Sequence, residues 1–328
     1  LPRTALPALL ALALLAAAPV RAGSIKQVVL EEGRTDENRI VTPVFDATDA
    51  PGIVVGEIGS GLDPGLKVVS RMSWGRVPDP TLGPAIHVGD LLAQALRSEG
   101  AALGLPVTNQ TDGAWRVTGR VDDLALKVRV ILFGPLVFYG YLQGTFTVTG
   151  PDGESTERTY RVFNLAARYN AGMGMEDEAS ETLAQLFLEA GQEVMSRLNR
   201  DLFHVPPREA IAERARALAG RDVDGLESEL RTIGLSHHPD ALAPLLALLE
   251  VEQDEGDRVH VIDALANLGA PEAVPVLMRR FPGEDTECRY ATLDALQALG
   301  GEEALAFVRQ AGARDAEATV KLVAERSR

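Results

Sequence analysis

Cysteine is almost missing: the 328 residues include one, Cys288, so no internal disulfide can form and stability rests on packing. Aromatic residues make up only 5% of the chain. Basic residues are outnumbered, 32 Lys and Arg against 47 Asp and Glu, for a net charge of −15. Such a balance repels a phosphate backbone or an anionic membrane face. The largest basic patch is Arg279-Arg280, so no nucleic-acid partner is expected. No apolar run reaches the ~20 residues that a helix needs to cross a bilayer.

The motifs of several chemistries are missing as well. The chain has no H-E-x-x-H, no G-x-S-x-G, no Walker-type loop and no C-x-x-C pair. Gly59 to Gly65 is rich in glycine, but it lacks the dinucleotide spacing and reads as a loop. His237-His238-Pro239-Asp240 offers imidazoles and a carboxylate, yet a closed metal site needs about four converging ligands. Asp254-Glu255-Gly256-Asp257 lacks a calcium-loop ladder and reads as a turn that caps a helix. Cys288, inside a helical pattern, reads as a buried small side chain. Neither cofactor nor metal nor catalytic residue is expected, and the chain is expected not to be an enzyme.

What is present begins at the first residues. Arg3, the apolar stretch Ala5 to Ala18, Pro19 and the small-residue exit Val20-Arg21-Ala22 have the layout of a secretory signal peptide. Residues 1–22 are therefore expected to be removed, leaving a periplasmic or secreted chain with no transmembrane segment. No cysteine follows the cut, so no lipid tether is expected.

The remainder changes period once. Residues 23–205 alternate strand and helix, and residues 206–328 read as helix alone, with the prolines of His204-Val205-Pro206-Pro207 at the division. In the first part, Arg39 to Phe45, Gly52 to Ile58 and Leu66 to Ser70 read as short strands. Val88 to Gly104 reads as a helix and Trp115 to Phe133 as a long strand. Gly140 to Thr149 and Glu157 to Leu165 form a hairpin about Pro151-Asp152-Gly153, and Glu176 to Leu202 is a closing helix. The pattern predicts an α+β sandwich, a sheet packed with two main helices. Pro43-Val44-Phe45-Asp46, Asp90 to Leu96 before Gly104-Leu105-Pro106-Val107, and Trp115 to Val121 give this part a topology that resembles Gram-negative transport auxiliary lipoproteins.

The second part repeats. Asp263-Ala264-Leu265-Ala266-Asn267-Leu268-Gly269 aligns with Asp294-Ala295-Leu296-Gln297-Ala298-Leu299-Gly300 at a shift of 31 residues. Val259, Ile262, Leu265 and Leu268 then fall on Tyr290, Leu293, Leu296 and Leu299. A looser copy runs from Asp222 to Leu249, which makes about three helical hairpins, with end helices at Pro207 to Ala219 and Asp315 to Glu325. The V-x-x-A-L-x-x-L-G cadence resembles HEAT-type repeats. That resemblance implies a stacked solenoid, whose surface of successive second helices serves to bind other proteins.

Two segments are candidates for partner binding. Phe133 to Tyr141 gathers Phe138, Tyr139 and Tyr141 around Gly and Pro, where a strand is interrupted, and would form either sheet core or an exposed aromatic lip. Arg279 and Arg280 end one second helix and would meet an acidic segment or simply offset the helix dipole. The leading expectation is an exported adaptor of the bacterial envelope that binds a protein through its solenoid. The alternatives are a periplasmic carrier or sensor of an apolar ligand using the α+β part, and a lyase, since some bilin lyases resemble HEAT-like proteins.

Overall fold

The computed structural model describes residues 24–30, 40, 42–62, 69–71, 81–83, 86–130, 136–168, 175–218, 226–252 and 254–314. The expected leader at 1–22, the end helix at 315–325, the aromatic segment's start at 133–135 and the first copy's start at 222 lie outside these.

Five strands make the main sheet. Strands β2 (Ile53–Ser60), β5 (Trp115–Val130), β6 (Leu136–Thr149) and β7 (Ser155–Arg168) lie in the order β2-β5-β6-β7, and β3 (Val69–Arg71) pairs with β5 farther along. Two short strands, β1 (Ser24–Ile25) and β4 (Thr81–Leu82), pair beside it. The pairing of β2 with β5 is parallel and therefore needs a crossover, which contains helix α1 (Val88–Ala102). The pairs β5 with β6 and β6 with β7 are antiparallel, and the register of β5 shifts between Val121 and Asp123. The Pro151-Asp152-Gly153 turn is as expected, with Gly153 at φ +86°.

Strand alternation decides which core each side chain joins. Along β6, Phe138, Leu142, Phe146 and Val148 join the first core beneath α1 and the long helix α2 (Met175–Leu198). From β5, Val117, Val121, Leu124, Leu126 and Val128 join them. The two helices cross closely at Gly191, where a Cβ would come within 2.7 Å of the Ala95 carbonyl oxygen. Val137, Tyr139 and Tyr141 point the other way and, with Ala125 and Phe163, belong to the core of the helical part. The sheet is thus a wall between two helical layers.

A π-helical turn (Asn199–Phe203) ends α2 and leads to α3 (Ala210–Ala217). Three hairpins follow: α4 (Leu226–Leu235) with α5 (Leu242–Val251), α6 (Glu255–Leu268) with α7 (Val274–Arg280), and α8 (Thr286–Leu299) with α9 (Glu302–Arg314). The positions matched by the 31-residue shift are filled alike: Ile262, Leu265, Leu293 and Leu296 are all buried. Pro239 and Pro271 open short 3-10 turns that lead into the second helices, and Gly269 closes α6 at φ +72°.

Several expectations need correction. Arg39 to Phe45 is not a strand where described: the backbone N–H groups of Val44 and Phe45 both donate to the Leu103 carbonyl, and Phe45 makes only an isolated bridge with Pro207. At Leu66 to Ser70 the described strand is Val69–Arg71. β6 begins at Leu136, not Gly140, so Phe138, Tyr139 and Tyr141 all lie within a strand.

Candidate functional site

The seam between the two parts is the most polar buried region described. Its floor is the second half of α2. Glu193 Oε2 accepts from Arg197 Nη2 at 2.9 Å, and Arg231 of α4 lies 3.9 Å from Glu193 Oε1. Gln192 accepts from Arg231 Nε and donates to the buried Glu99 at 2.8 Å. Glu189 accepts from Asn164 of β7. Arg197 also donates to the Arg161 carbonyl at 2.8 Å, which ties α2 to the sheet.

Opposite α2, the inner helices present Asp263 and Asp294, the same position in two successive repeats. Both keep part of their surface open. Burial, and then the charge of Glu193, push Asp294 up to about 8. Burial, followed by Asp294 and Glu193, raises Asp263 well above the usual carboxylate range. Burial likewise raises Glu193, against the pull of Arg197 and Arg231. For Arg231, burial opposes the charged form, but Glu189 and Glu193 outweigh it and raise its pKa. His260 lies 3.2 Å from Glu227, yet burial and then Arg231 bring it down to about 4, so it is neutral at pH 7.

The aromatic candidates lie along this seam. Tyr139 is fully buried, its ring edge to face with Tyr290 of α8 at 5.1 Å and its hydroxyl 3.2 Å from the Glu287 carboxylate. Tyr141 packs on Phe163 at 4.8 Å and donates to Gln143 at 2.9 Å. Phe138 faces the first core. None of the three is an exposed lip; two of them bind the chain's own helical part. The Tyr290 hydroxyl, 3% exposed with its residue, makes no hydrogen bond, and neither does Asn164 Oδ1.

Arg279 and Arg280 lie on the outer layer. Arg279 is 66% exposed and 3.3 Å from Glu250 of α5. Arg280 joins Glu250 at 3.2 Å to Glu284 at 2.9 Å and so clamps α5 to α7.

Two clusters resemble chemistry and have structural tasks. His237, in a left-handed conformation at φ 54°, sets Nε2 2.6 Å from Ser196 Oγ and Nδ1 3.1 Å from the Leu268 carbonyl. Ser196 is fully buried and its hydroxyl is 2.7 Å from the Leu235 carbonyl, so this pair fastens α2 to α4 and α6. Burial brings His237 down to about 4. Glu284, Asp285 and Cys288 bring ligand atoms within 4.8 Å of one another, but Arg258 fills the place of a cation, 3.2 Å from Glu284 and 2.5 Å from Asp285. Burial and then Asp285 push the Cys288 thiol up to about 12, far from a reactive thiolate.

The repeated hairpins and their buried register decide the kinship of the second part. Residues 242–327 match the family model of HEAT repeats. No curated protein matches the chain. Among solved structures, a minor lipoprotein from Acinetobacter baumannii is similar at 13% identity and TM-score 0.28, covering 48% of this chain and 98% of its own. A DUF330 protein from Xanthomonas campestris is similar at 14% identity and TM-score 0.32, covering 48% and 89%. An uncharacterised protein covers 49% and 95% at 12% identity and TM-score 0.32. Among the described residues no helix is long and apolar enough to cross a membrane.

The seam residues Glu193, Asp263, Asp294 and Tyr290 were not candidates from sequence. The signal was there in the HEAT repeat itself, which sets an aspartate at the same position of both D-A-L-x-x-L-G cadences.

Proposed function

We propose that this chain is an exported, non-enzymatic adaptor of the bacterial envelope, whose HEAT hairpins hold another protein on their outer layer. The observation that carries this reading is the division of the solenoid's two surfaces. The inner helices are covered by the sheet and α2, whereas α5, α7 and α9 face outward. Helix α5 has a single charged residue, Glu250, and presents Ala243, Ala247 and Val251, the last 67% exposed. Arg279 stands beside it. An apolar strip with a charge at its rim has the character of a protein-binding surface. The internal pairing of Ser196 with His237, and of Arg258 with the Glu284 cluster, supports the non-enzymatic part of the reading. The basic and apolar opening of the sequence supports export.

The test is crosslinking and affinity capture from a periplasmic extract, with Ala247→Glu and Arg279→Glu beside the parent chain. A band lost in both variants at unchanged melting temperature supports the reading. Equal capture by all three, or none by the parent, counts against it. Cutting the chain after His204 is a poor control, because it would bare Tyr139 and Tyr141.

A further inference from the structure

The fold closes parts of both edges of the main sheet with guanidinium groups. On β2, Arg97 of α1 donates to the Val55 carbonyl at 2.9 Å and to that of Gly56 at 3.3 Å. On β7, Arg197 of α2 donates to the Arg161 carbonyl at 2.8 Å. Strand β7 is last in the order β2-β5-β6-β7, and from Ser155 to Thr159 no backbone group among the described residues bonds to its outer side. Ser155, Glu157 and Thr159 are exposed there.

We propose that this open stretch of β7 pairs with the same stretch of a second copy of the chain, antiparallel and centred on Thr156, so that two sheets join into one. The proposal stands on the geometry and charge of the edge and does not depend on the adaptor reading.

The backbone supplies the bonds. Gly150 N donates to the Glu154 carbonyl at 2.8 Å, so the even-numbered residues of β7 turn their N–H and C=O groups to β6 and the odd-numbered ones turn theirs outward. Two carbonyls show this parity: that of Arg161 accepts from Arg197, and that of Glu157 accepts from the next side chain, Arg158 Nη1, at 3.0 Å. With Thr156 at the centre, Ser155 of each copy lies opposite Glu157 of the other. Both residues face outward, so each such pair exchanges both of its backbone bonds. An edge with free N–H and C=O groups is a template for a further strand.

Charge selects both the occupant and the register. Glu154 and Arg158 take part in no ion pair among the described residues. Centred on Thr156, the pairing sets Glu154 against Arg158 of the other copy at both ends, by symmetry, and Thr156 against Thr156. Centred on Glu157 or on Arg158 instead, it would set that charge against its own copy. Centred on Thr159, it would need the Arg161 carbonyl that Arg197 already holds. The two-fold also carries the HEAT hairpins, which cover Tyr141 and Phe163, to opposite ends of the joined strands. A strip from Glu154 to Arg158 is much smaller than the ~800 Å² per partner of a standard interface, so the association is weak.

The experiment is sedimentation velocity on the full chain at concentrations from about 10 µM to about 1 mM. The weight-average mass of the parent chain is expected to climb toward about twofold. Glu154→Arg and Arg158→Glu each set like charges opposite one another, and each is expected to keep the mass of a single chain. An equimolar mixture of the two regains the association, because each supplies the charge that the other lacks. Should either variant melt lower than the parent, Thr156→Asp, which opposes two carboxylates at the centre, serves as the disrupting variant. A parent chain that stays single at the highest concentration overturns the proposal. So does association that survives in a disrupting variant, or that fails to return in the mixture of two folded variants. No other protein is present, so failed pairing leaves the adaptor reading standing, and failed capture from an extract leaves the pairing standing.

Discussion

Tyr139 of β6 and Tyr290 of α8 meet edge to face, ring centroids 5.1 Å apart, and join the sheet to the third hairpin. Both are buried, and Phe163 completes the contact at 6.3 Å from Tyr290. Removing Tyr139 takes a large side chain out of a packed wall, so Tyr139→Ala is expected to cost about 3–5 kcal/mol in urea unfolding. A double-mutant cycle with Tyr290→Ala should give a coupling of about 0.5–1.5 kcal/mol. Tyr290→Phe deletes a hydroxyl that makes no hydrogen bond, and should leave stability within about 1 kcal/mol or raise it.

The acid limb of stability is expected to depend on His237. Burial lowers its folded pKa to about 4, below the unfolded value of 6.5. The unfolded chain therefore binds the proton first, and stability is lost as pH falls from about 6.5 to about 4. The full effect is on the order of 3 kcal/mol. His237→Asn keeps a residue that tolerates the left-handed backbone. It should be less stable at pH 7 but lose less on acidification, with His260 adding to the remaining slope and the raised carboxyls of Glu193, Asp263 and Asp294 opposing it. Urea midpoints measured at pH 7, 5.5 and 4.5 check this.

Helices α4 and α6 approach at Gly234, where a Cβ would lie 2.7 Å from the Ala264 carbonyl oxygen. Backbone cannot turn aside as a flexible side chain can. Gly234→Ala should therefore cost about 1–3 kcal/mol despite alanine's better helix propensity, and Gly283→Ala, with nothing within 4 Å, serves as the unstrained control in thermal melts.

Asp254 caps α6 by accepting from Gly256 N at 2.8 Å and Asp257 N at 3.1 Å. Asp254→Ala should cost about 1 kcal/mol, while Asp254→Ser retains most of the cap. Circular dichroism during urea titration distinguishes them.

Local signals were readable in the sequence. The 31-residue shift placed Ile262, Leu265, Leu293 and Leu296 in the core; period-two alternation marked β5; the turn at Pro151 to Gly153 fixed the hairpin. The seam was less legible, because it joins residues far apart in the chain. Alternation marks Tyr139 and Tyr141 as belonging to one face, but it does not say whether solvent, a foreign protein or the chain's own helices cover that face. An aspartate inside a helical repeat looks like ordinary surface until α2 is laid across it. Phe45 failed as a strand residue because its N–H is taken by the Leu103 carbonyl, a tertiary contact that β propensity cannot anticipate.

Strands β6 and β7 each run 14 residues, roughly 46 Å at about 3.3 Å per residue. The face turned away from α1 and α2 carries Tyr139 and Phe163 to α8. Deleting the α8–α9 hairpin would leave Tyr139 and Phe163 as a sticky strand face, open to aggregation. The array therefore cannot be shortened by one hairpin as freely as a freestanding solenoid can.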